Sequence, residues 1–79
     1  MELQKKIFEH IQNAIPKDYI MVNEIADLLN ISVDSAYRRI RGDKAIEIQE
    51  TALLCTHYKI SLDAILQLSD NANPKILVA

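Results

Sequence analysis

The sequence predicts an all-α fold, a compact bundle of five helices in one small domain. A chain of 79 residues with 49% apolar residues can bury one modest core and has no room for a second. One glycine, two prolines and few aromatic residues leave long unbroken segments, along which apolar residues recur at helical spacing. We therefore expect the folded domain to cover residues 1–70.

The first helix is expected over residues 2–15. Its apolar stripe repeats every four residues and is widened by Phe8. The stripe consists of Leu3, Ile7, Ile11 and Ile15. Pro16 ends the helix because the residue before a proline is pushed out of the helical region. The connector 16–21 closes on an apolar run that we expect to pack over the open end of the core: Tyr19, Ile20 and Met21.

Two short helices joined by a tight turn are expected next, over residues 22–29 and 33–41. Ser32 stands at the N-cap of the second helix, where its hydroxyl can accept a backbone N–H of the next turn. Asn30 occupies the position that needs a left-handed residue, which Asn tolerates better than any residue except Gly. Ala26 is small where the two helices must cross closely.

Two further helices complete the predicted bundle. Gly42 is expected to close the second helix of the pair in the left-handed conformation. The fourth helix is predicted over residues 47–58, with its inward register formed by Ile48, Ala52, Cys55 and Tyr58, and with Leu54 beside them. Ser61 caps a fifth helix, Leu62–Leu68, which is more apolar than one small core requires. Part of its surface is therefore expected to contact a second copy.

The end of the chain, residues 71–79, is expected to be a linker or tail. Turn and linker residues begin at Ser69, and the last five residues are KILVA. Three interpretations stay open: the start of a C-terminal region missing from this sequence, a strand that pairs with a partner, and a frayed tail. The N-terminus lacks the apolar block of a signal peptide and no window could span a bilayer, so we expect a cytoplasmic protein without a membrane.

A family resemblance extends from Glu24 to Leu66. It is carried by Ile25-Ala26, Leu29-Asn30-Ile31-Ser32, Arg41-Gly42, Leu54-Cys55, Ile60-Ser61-Leu62-Asp63 and Ile65-Leu66. In these residues the chain resembles the helix-turn-helix domain of the lambda repressor and Cro class, the XRE-like family. The resemblance implies a lambda-repressor-like five-helix bundle in which helix 33–41 enters the major groove of DNA.

The faces of helix 33–41 decide which residues we expect to read bases. Helical spacing places Ala36 and Ile40 inward, with Val33 a turn earlier. The expected base-reading residues, at the outward face and the N-terminal end, are Ser32, Val33, Asp34, Ser35 and Arg38. Val33 could instead cap the core. The first role expected for Asp34 is to complement the helix dipole, ahead of pairing with Arg38 or accepting from cytosine.

A second set of residues is expected to contact phosphates. It consists of Asn23, Tyr37, Arg39, Arg41 and Lys44. Many members of the resembled family carry an aliphatic residue in place of Arg39 and a polar one in place of Ile40. Because of that offset, which arginine reads bases and which two hold phosphates stays open at this point.

The charge distribution suits a nucleic-acid ligand better than the net charge does. The formal charge is -2, whereas residues 38–44 contain three arginines and one lysine against Asp43 alone. Local charges matter most because salt screens interactions beyond about 8 Å. The leading hypothesis is a sequence-specific DNA-binding domain of a transcription regulator that acts as a dimer, with contacts through helix 5 and the tail. The alternative is a helical protein-interaction module that has lost DNA binding.

Enzymatic chemistry is not expected. Cys55 and His57 are only two residues apart and point to different faces of a helix, which disfavours both a metal site and a nucleophile–base pair. No paired carboxylates with catalytic spacing occur. We expect no catalytic residue, no metal and no cofactor.

Overall fold

A computed structural model describes residues 2–69 of the chain. They form five α-helices and no strand: α1 (Glu2–Ala14), α2 (Met21–Leu29), α3 (Val33–Arg41), α4 (Ile48–His57) and α5 (Leu62–Ser69). The predicted all-α, five-helix bundle is confirmed, and each helix end lies within one residue of its predicted position. The predicted tail, residues 71–79, and the dimer contact expected there lie outside the described residues.

The core lies where α1 and α2 meet the later helices. α1 packs against α3 and α5, while α2 packs against α3 and α4. The buried apolar residues come from all five helices and their connections: Ile7, Phe8, Ile11, Ile15, Ile25, Ala26, Ala36, Leu54, Ile60 and Ile65. Two of them, Ala26 and Ala36, are small residues on the packed pair α2 and α3, which lets the two helices approach closely. Among the described helices, none is long and apolar enough to cross a membrane.

Three described helices are followed within two residues by a residue with positive φ. Asn30 has φ 58° and Gly42 has φ 88°, as predicted for the ends of α2 and α3. After α3, the N–H of Gly42 donates to the carbonyl of Arg39 (3.1 Å) and the N–H of Asp43 to that of Arg38 (2.8 Å). This crossed pair satisfies two carbonyls that the end of a helix leaves open. Lys59, after α4, has φ 55° without the freedom of glycine.

The predicted N-caps are also present. The hydroxyl of Ser32 accepts the N–H of Ser35 at 3.0 Å, and that of Ser61 accepts the N–H of Ala64 at 3.3 Å. α4 starts differently, because the backbone N–H of Glu47 donates to the side chain of Glu50 at 3.0 Å. α2 has no side-chain cap, because the residue before it is Ile20, which carries no side-chain acceptor.

Two expectations about packing are wrong. Ile48 and Ala52, placed inward by the predicted register of α4, are both exposed, Ile48 to 85%. The reason is that α4 turns Glu50 and Leu54 towards α2 and α3 and leaves the other two on the opposite side. Tyr19 and Ile20, expected to cover the core, are 53% and 61% exposed. Of the three residues expected there, Met21 alone lies against the core, as the first residue of α2.

Replacing Gly42 by alanine should destabilise the domain by about 1 kcal/mol through backbone strain alone. A Cβ built at Gly42 meets no atom within 4 Å, so no steric clash contributes. Urea unfolding followed by circular dichroism measures the change. Lys59→Gly is the matched variant, with an effect expected to be neutral or stabilising because it relieves the same strain. Equal destabilisation by both variants would contradict this account.

Candidate nucleic-acid interface

The outer face of α3 carries a compact set of exposed side chains. Val33, Tyr37 and Arg41 follow one another at intervals of four residues, and Asp34 and Arg38 form the neighbouring row. From Val33 to Arg41 the helix axis covers about 12 Å. Apolar, acidic and basic groups thus share one exposed face, of a length suited to one groove of a duplex.

The three arginines of α3 have three different environments. Within the described residues, Arg38 is exposed and its guanidinium forms no hydrogen bond or ion pair. The pairing of Arg38 with Asp34 considered from the sequence is absent there. All five N–H donors of Arg38 are therefore free to bind a ligand.

Arg41 is held on the surface by two neighbours. Its Nη2 lies 2.9 Å from Oδ2 of Asp43, and its Nε donates to the same oxygen at 3.1 Å. Its guanidinium carbon lies 5.4 Å from the centre of the Tyr37 ring. Both charged side chains are more than half exposed, so the ion pair adds little stability and can be exchanged for a phosphate.

Arg39 is not on the surface, which corrects its assignment as a phosphate contact. Its side chain is 7% exposed and forms a two-point ion pair with Glu50, from Nε to Oε1 at 2.9 Å and from Nη2 to Oε2 at 3.1 Å. Its Nη1 donates to the carbonyl of Ser35 at 3.0 Å. The guanidinium is thus committed inside the domain, and a phosphate has no access to it.

The ion pair also determines how Glu50 titrates. Burial by itself raises the pKa of Glu50, but the hydrogen bond from Arg39, the N–H of Glu47 and the charges of Arg39 and Lys44 outweigh it. The net effect lowers the pKa of this carboxyl below its ordinary value of 4.5. Glu50 is therefore ionised at neutral pH and keeps Arg39 in place.

The remaining residues of the predicted base-reading set divide between surface and turn. Asp34 is exposed as expected, whereas Ser35 is only partly exposed because Arg39 draws that side of α3 inward. Val33 is 48% exposed and lies outside the core, which settles the choice between core and surface in favour of the surface. Ser32 is exposed, and its oxygen serves as the N-cap of α3.

The other predicted phosphate contacts are all exposed. Lys44 is exposed in the loop after α3, and its N–H donates to the carbonyl of Arg38 at 3.2 Å. Asn23 is exposed in the first turn of α2, which has no side-chain cap, and its own backbone N–H donates to the carbonyl of Ile20 at 3.1 Å. The helix dipole at this end favours an anion. Tyr37 is 48% exposed, with the guanidinium of Arg41 over its ring.

Two polar residues that turn inward, Gln4 and Glu50, were missed in the sequence. Gln4 is 4% exposed, and its carboxamide nitrogen donates to the carbonyls of Arg39 (2.7 Å) and Lys44 (2.9 Å). Its Oε1 accepts the N–H of Ile46 at 3.1 Å. The signal was present, because Gln4 falls on the same face of α1 as Phe8 and Ile11, where a polar side chain needs a partner. Glu50 carried a weaker signal, three residues after the helix start at Glu47.

Other parts of the described structure are weaker candidates for a functional site. A shallow cleft of about 300 Å³ lies between the start of α1 and the end of α3, lined by Glu2, Gln4, Lys5, Ile40, Arg41 and Gly42. Within residues 2–69, no three His, Cys, Asp or Glu side chains are grouped closely enough to hold a metal ion. Burial raises the pKa of the Cys55 thiol, which disfavours the reactive thiolate.

Comparison with known proteins places the chain in a family. The model of the BetR domain matches residues 11–76, which includes the end of α1 and all of α2 to α5. The chain belongs to the BetR domain family. The match supports a helical, DNA-binding-like domain of the kind associated with regulators, without singling out the XRE-like family. No curated protein and no solved structure matches the chain.

Removing only Arg39 from its buried pair should be strongly destabilising. Arg39→Met leaves the Glu50 carboxylate without its partner, and we expect a loss of about 3 kcal/mol in urea unfolding. The double variant Arg39→Met/Glu50→Leu should recover much of that loss, since no buried charge remains. Additive losses in the double variant would contradict a coupled pair.

The same pair should make stability depend on pH. Because the pKa of Glu50 is lowered on folding, its contribution is complete above pH 4.5 and is lost as the pH falls through the lower folded value. The midpoint temperature of thermal unfolding should therefore fall less steeply between pH 6 and pH 3 for Glu50→Gln than for the natural chain. Asp18→Asn, at an exposed carboxyl of the connector, is the control and should keep the natural slope.

Proposed function

We propose that this protein is a sequence-specific DNA-binding domain of a transcription regulator, with α3 as the recognition helix in the major groove. The observation that carries the proposal is the exposed, unpaired guanidinium of Arg38 at the middle of the outer face of α3. A free arginine on an exposed helix can donate two parallel hydrogen bonds to O6 and N7 of guanine. The BetR family match supports a role among regulators.

The geometry supports separate roles in base reading and in phosphate contact for the exposed residues. Arg38 reads guanine, while Val33 and Asp34, near the N-terminal end of α3, lie where recognition helices usually meet base edges. Lys44 and Arg41 follow at the other end of the helix and are proposed as phosphate contacts. Asn23, in the first turn of α2, provides a further phosphate contact.

The proposal includes an XRE-like arrangement and a homodimer. One recognition helix reads too few base pairs to be selective alone, so two copies on a two-fold operator are expected. The order of helices, with a three-residue turn between α2 and α3, agrees with the lambda repressor and Cro class. Dimer contacts are assigned to α5 and the following residues, and the location to the cytoplasm.

The pairing of charges predicts how DNA binding should respond to salt. Glu50 neutralises Arg39 and Asp43 partly neutralises Arg41, so few of the cations in residues 38–44 remain free for phosphates. Each phosphate contact contributes about 0.9 to the slope of log affinity against log salt. A chain with a net charge of -2 should therefore bind non-specific DNA weakly.

A protein-interaction module is the second candidate. Ile48 is 85% exposed and Leu53 is 48% exposed on α4, which gives a protein partner apolar surface to cover. This function predicts a complex whose affinity survives high salt, in contrast to DNA binding. Titration of each ligand at two salt concentrations distinguishes the two functions.

Selection of bound duplexes from a random pool, followed by titration of the best site, tests the DNA proposal. Arg38→Ala should relax preference at one guanine position, with a loss of about 1–3 kcal/mol in discrimination. Lys44→Ala should weaken binding to all sequences alike and make the salt slope shallower by about 0.9.

Lys17→Ala, at an exposed lysine of the connector, is the matched control for charge and should leave both quantities unchanged. The absence of salt-dependent binding to any duplex would reject the proposal. Retained guanine preference in Arg38→Ala would reject the role given to Arg38 while leaving DNA binding in place.

A further inference from the structure

We propose that Gln4 is a positioning residue for DNA binding, because its single carboxamide clamps the loop that presents Lys44. This inference rests on the proposed function and adds a residue from α1, outside the outer face of α3. Gln4 also precedes the segment matched by the family model, residues 11–76. The proposal therefore concerns this chain and not the features on which the match depends.

The carboxamide of Gln4 links the last turn of α3 to the loop that follows it. The two N–H groups of the Gln4 carboxamide donate to the carbonyls of Arg39 and Lys44, at 2.7 and 2.9 Å. Its oxygen accepts the N–H of Ile46 at 3.1 Å. One side chain thus makes three of the four hydrogen bonds available to a carboxamide, and all three go to backbone groups of α3 and the loop.

Few other hydrogen bonds fix this loop, residues 42–47, although the side chain of Ile46 also packs against the core. Up to Lys44 the backbone is tied to the end of α3, through the N–H groups of Asp43 and Lys44 on the carbonyl of Arg38. Beyond that point, Gln4 supplies the hydrogen bonds at the carbonyl of Lys44 and the N–H of Ile46. Without the carboxamide, these part-buried backbone groups lose their protein partner, and the loop is no longer tied to α1.

The position of Lys44 follows from this arrangement. The side chain of Lys44 is exposed, while its backbone carbonyl accepts a hydrogen bond from Gln4 of α1 and its backbone N–H donates to Arg38. The backbone that carries the ammonium group is therefore fixed through both of its polar groups. Because α1 also packs on α3, Gln4 sets the loop relative to the recognition helix. A phosphate contact made from such a loop is ordered before DNA arrives, which lowers the entropy cost of binding.

A double-mutant cycle between Gln4 and Lys44 tests the positioning role. Gln4→Met keeps the size of the side chain and removes its hydrogen bonds. In the natural background it should make the salt slope shallower by about 0.9, so that raising salt from 50 to 200 mM costs about 3-fold less affinity than in the natural chain. In the Lys44→Ala background, Gln4→Met should leave the slope unchanged.

A purely structural role predicts something different. Ile11→Val removes one methylene from the core of the same helix and should lower stability without changing the slope. Equal effects of Gln4→Met with and without Lys44, or an unchanged slope in the natural background, would overturn the proposal. If Gln4→Met does not fold, Gln4→Asn replaces it, since its carboxamide is one methylene too short to reach all three partners.

Amide hydrogen exchange separates failure of this inference from failure of the proposed function. The Ile46 amide should exchange about 10-fold faster in Gln4→Met than in the natural chain, as expected for the loss of one net hydrogen bond. If the natural chain binds no duplex, the proposed function fails and the DNA role of Gln4 fails with it, whatever the exchange result. If the natural chain binds DNA and Ile46 exchange is unchanged, only the clamp is overturned.

Discussion

The orientation of the outer face of α3 depends on one buried ion pair, Arg39 with Glu50. Successive residues of a helix are 100° apart, so turning Arg39 inward sends Arg38 towards solvent and leaves Ser35 beside the interior. Such a pair adds little net stability because both charges lose their water. Its effect is on orientation: any other rotation of α3 leaves the Glu50 carboxylate buried without a cation. We infer that the pair selects which side chains the domain presents.

The parts of the fold that the sequence predicted depend on contacts between near neighbours. Asn30 and Gly42 adopt positive φ, and Ser32 caps α3, because each of these roles is fixed by residues at most five positions away. The buried alanines of the α2–α3 pair follow from the same short periodicity. The resemblance to a known family also placed an aliphatic residue at the position of Arg39, and that position is indeed buried. The error was to treat a charged residue there as exposed.

The parts that the sequence did not predict depend on distant partners. Arg39 is buried only because Glu50 lies eleven residues further along the chain, and Gln4 reaches a carbonyl 35 residues away. Neither pairing leaves a local pattern, since a charged residue usually indicates an exposed position. Missing the pair also led to the wrong register for α4, because turning Glu50 inward exposes Ile48. Long-range hydrogen bonds thus decided the details of the candidate site, while short-range patterns decided the fold.

This use of charge inside the domain has a consequence for recognition. The count of arginines in residues 38–41 overstates the positive field, because one guanidinium is neutralised in the interior and another is held by Asp43. Attraction to the phosphate backbone determines non-specific binding, whereas contacts with base edges determine preference between sequences. A domain with few free cations and one uncommitted arginine therefore loses more non-specific than specific affinity. Since competing genomic sites greatly outnumber the operator, a high ratio of specific to non-specific affinity matters more than affinity alone. On this reasoning, the acidic balance of the chain is compatible with the selective DNA binding that we propose.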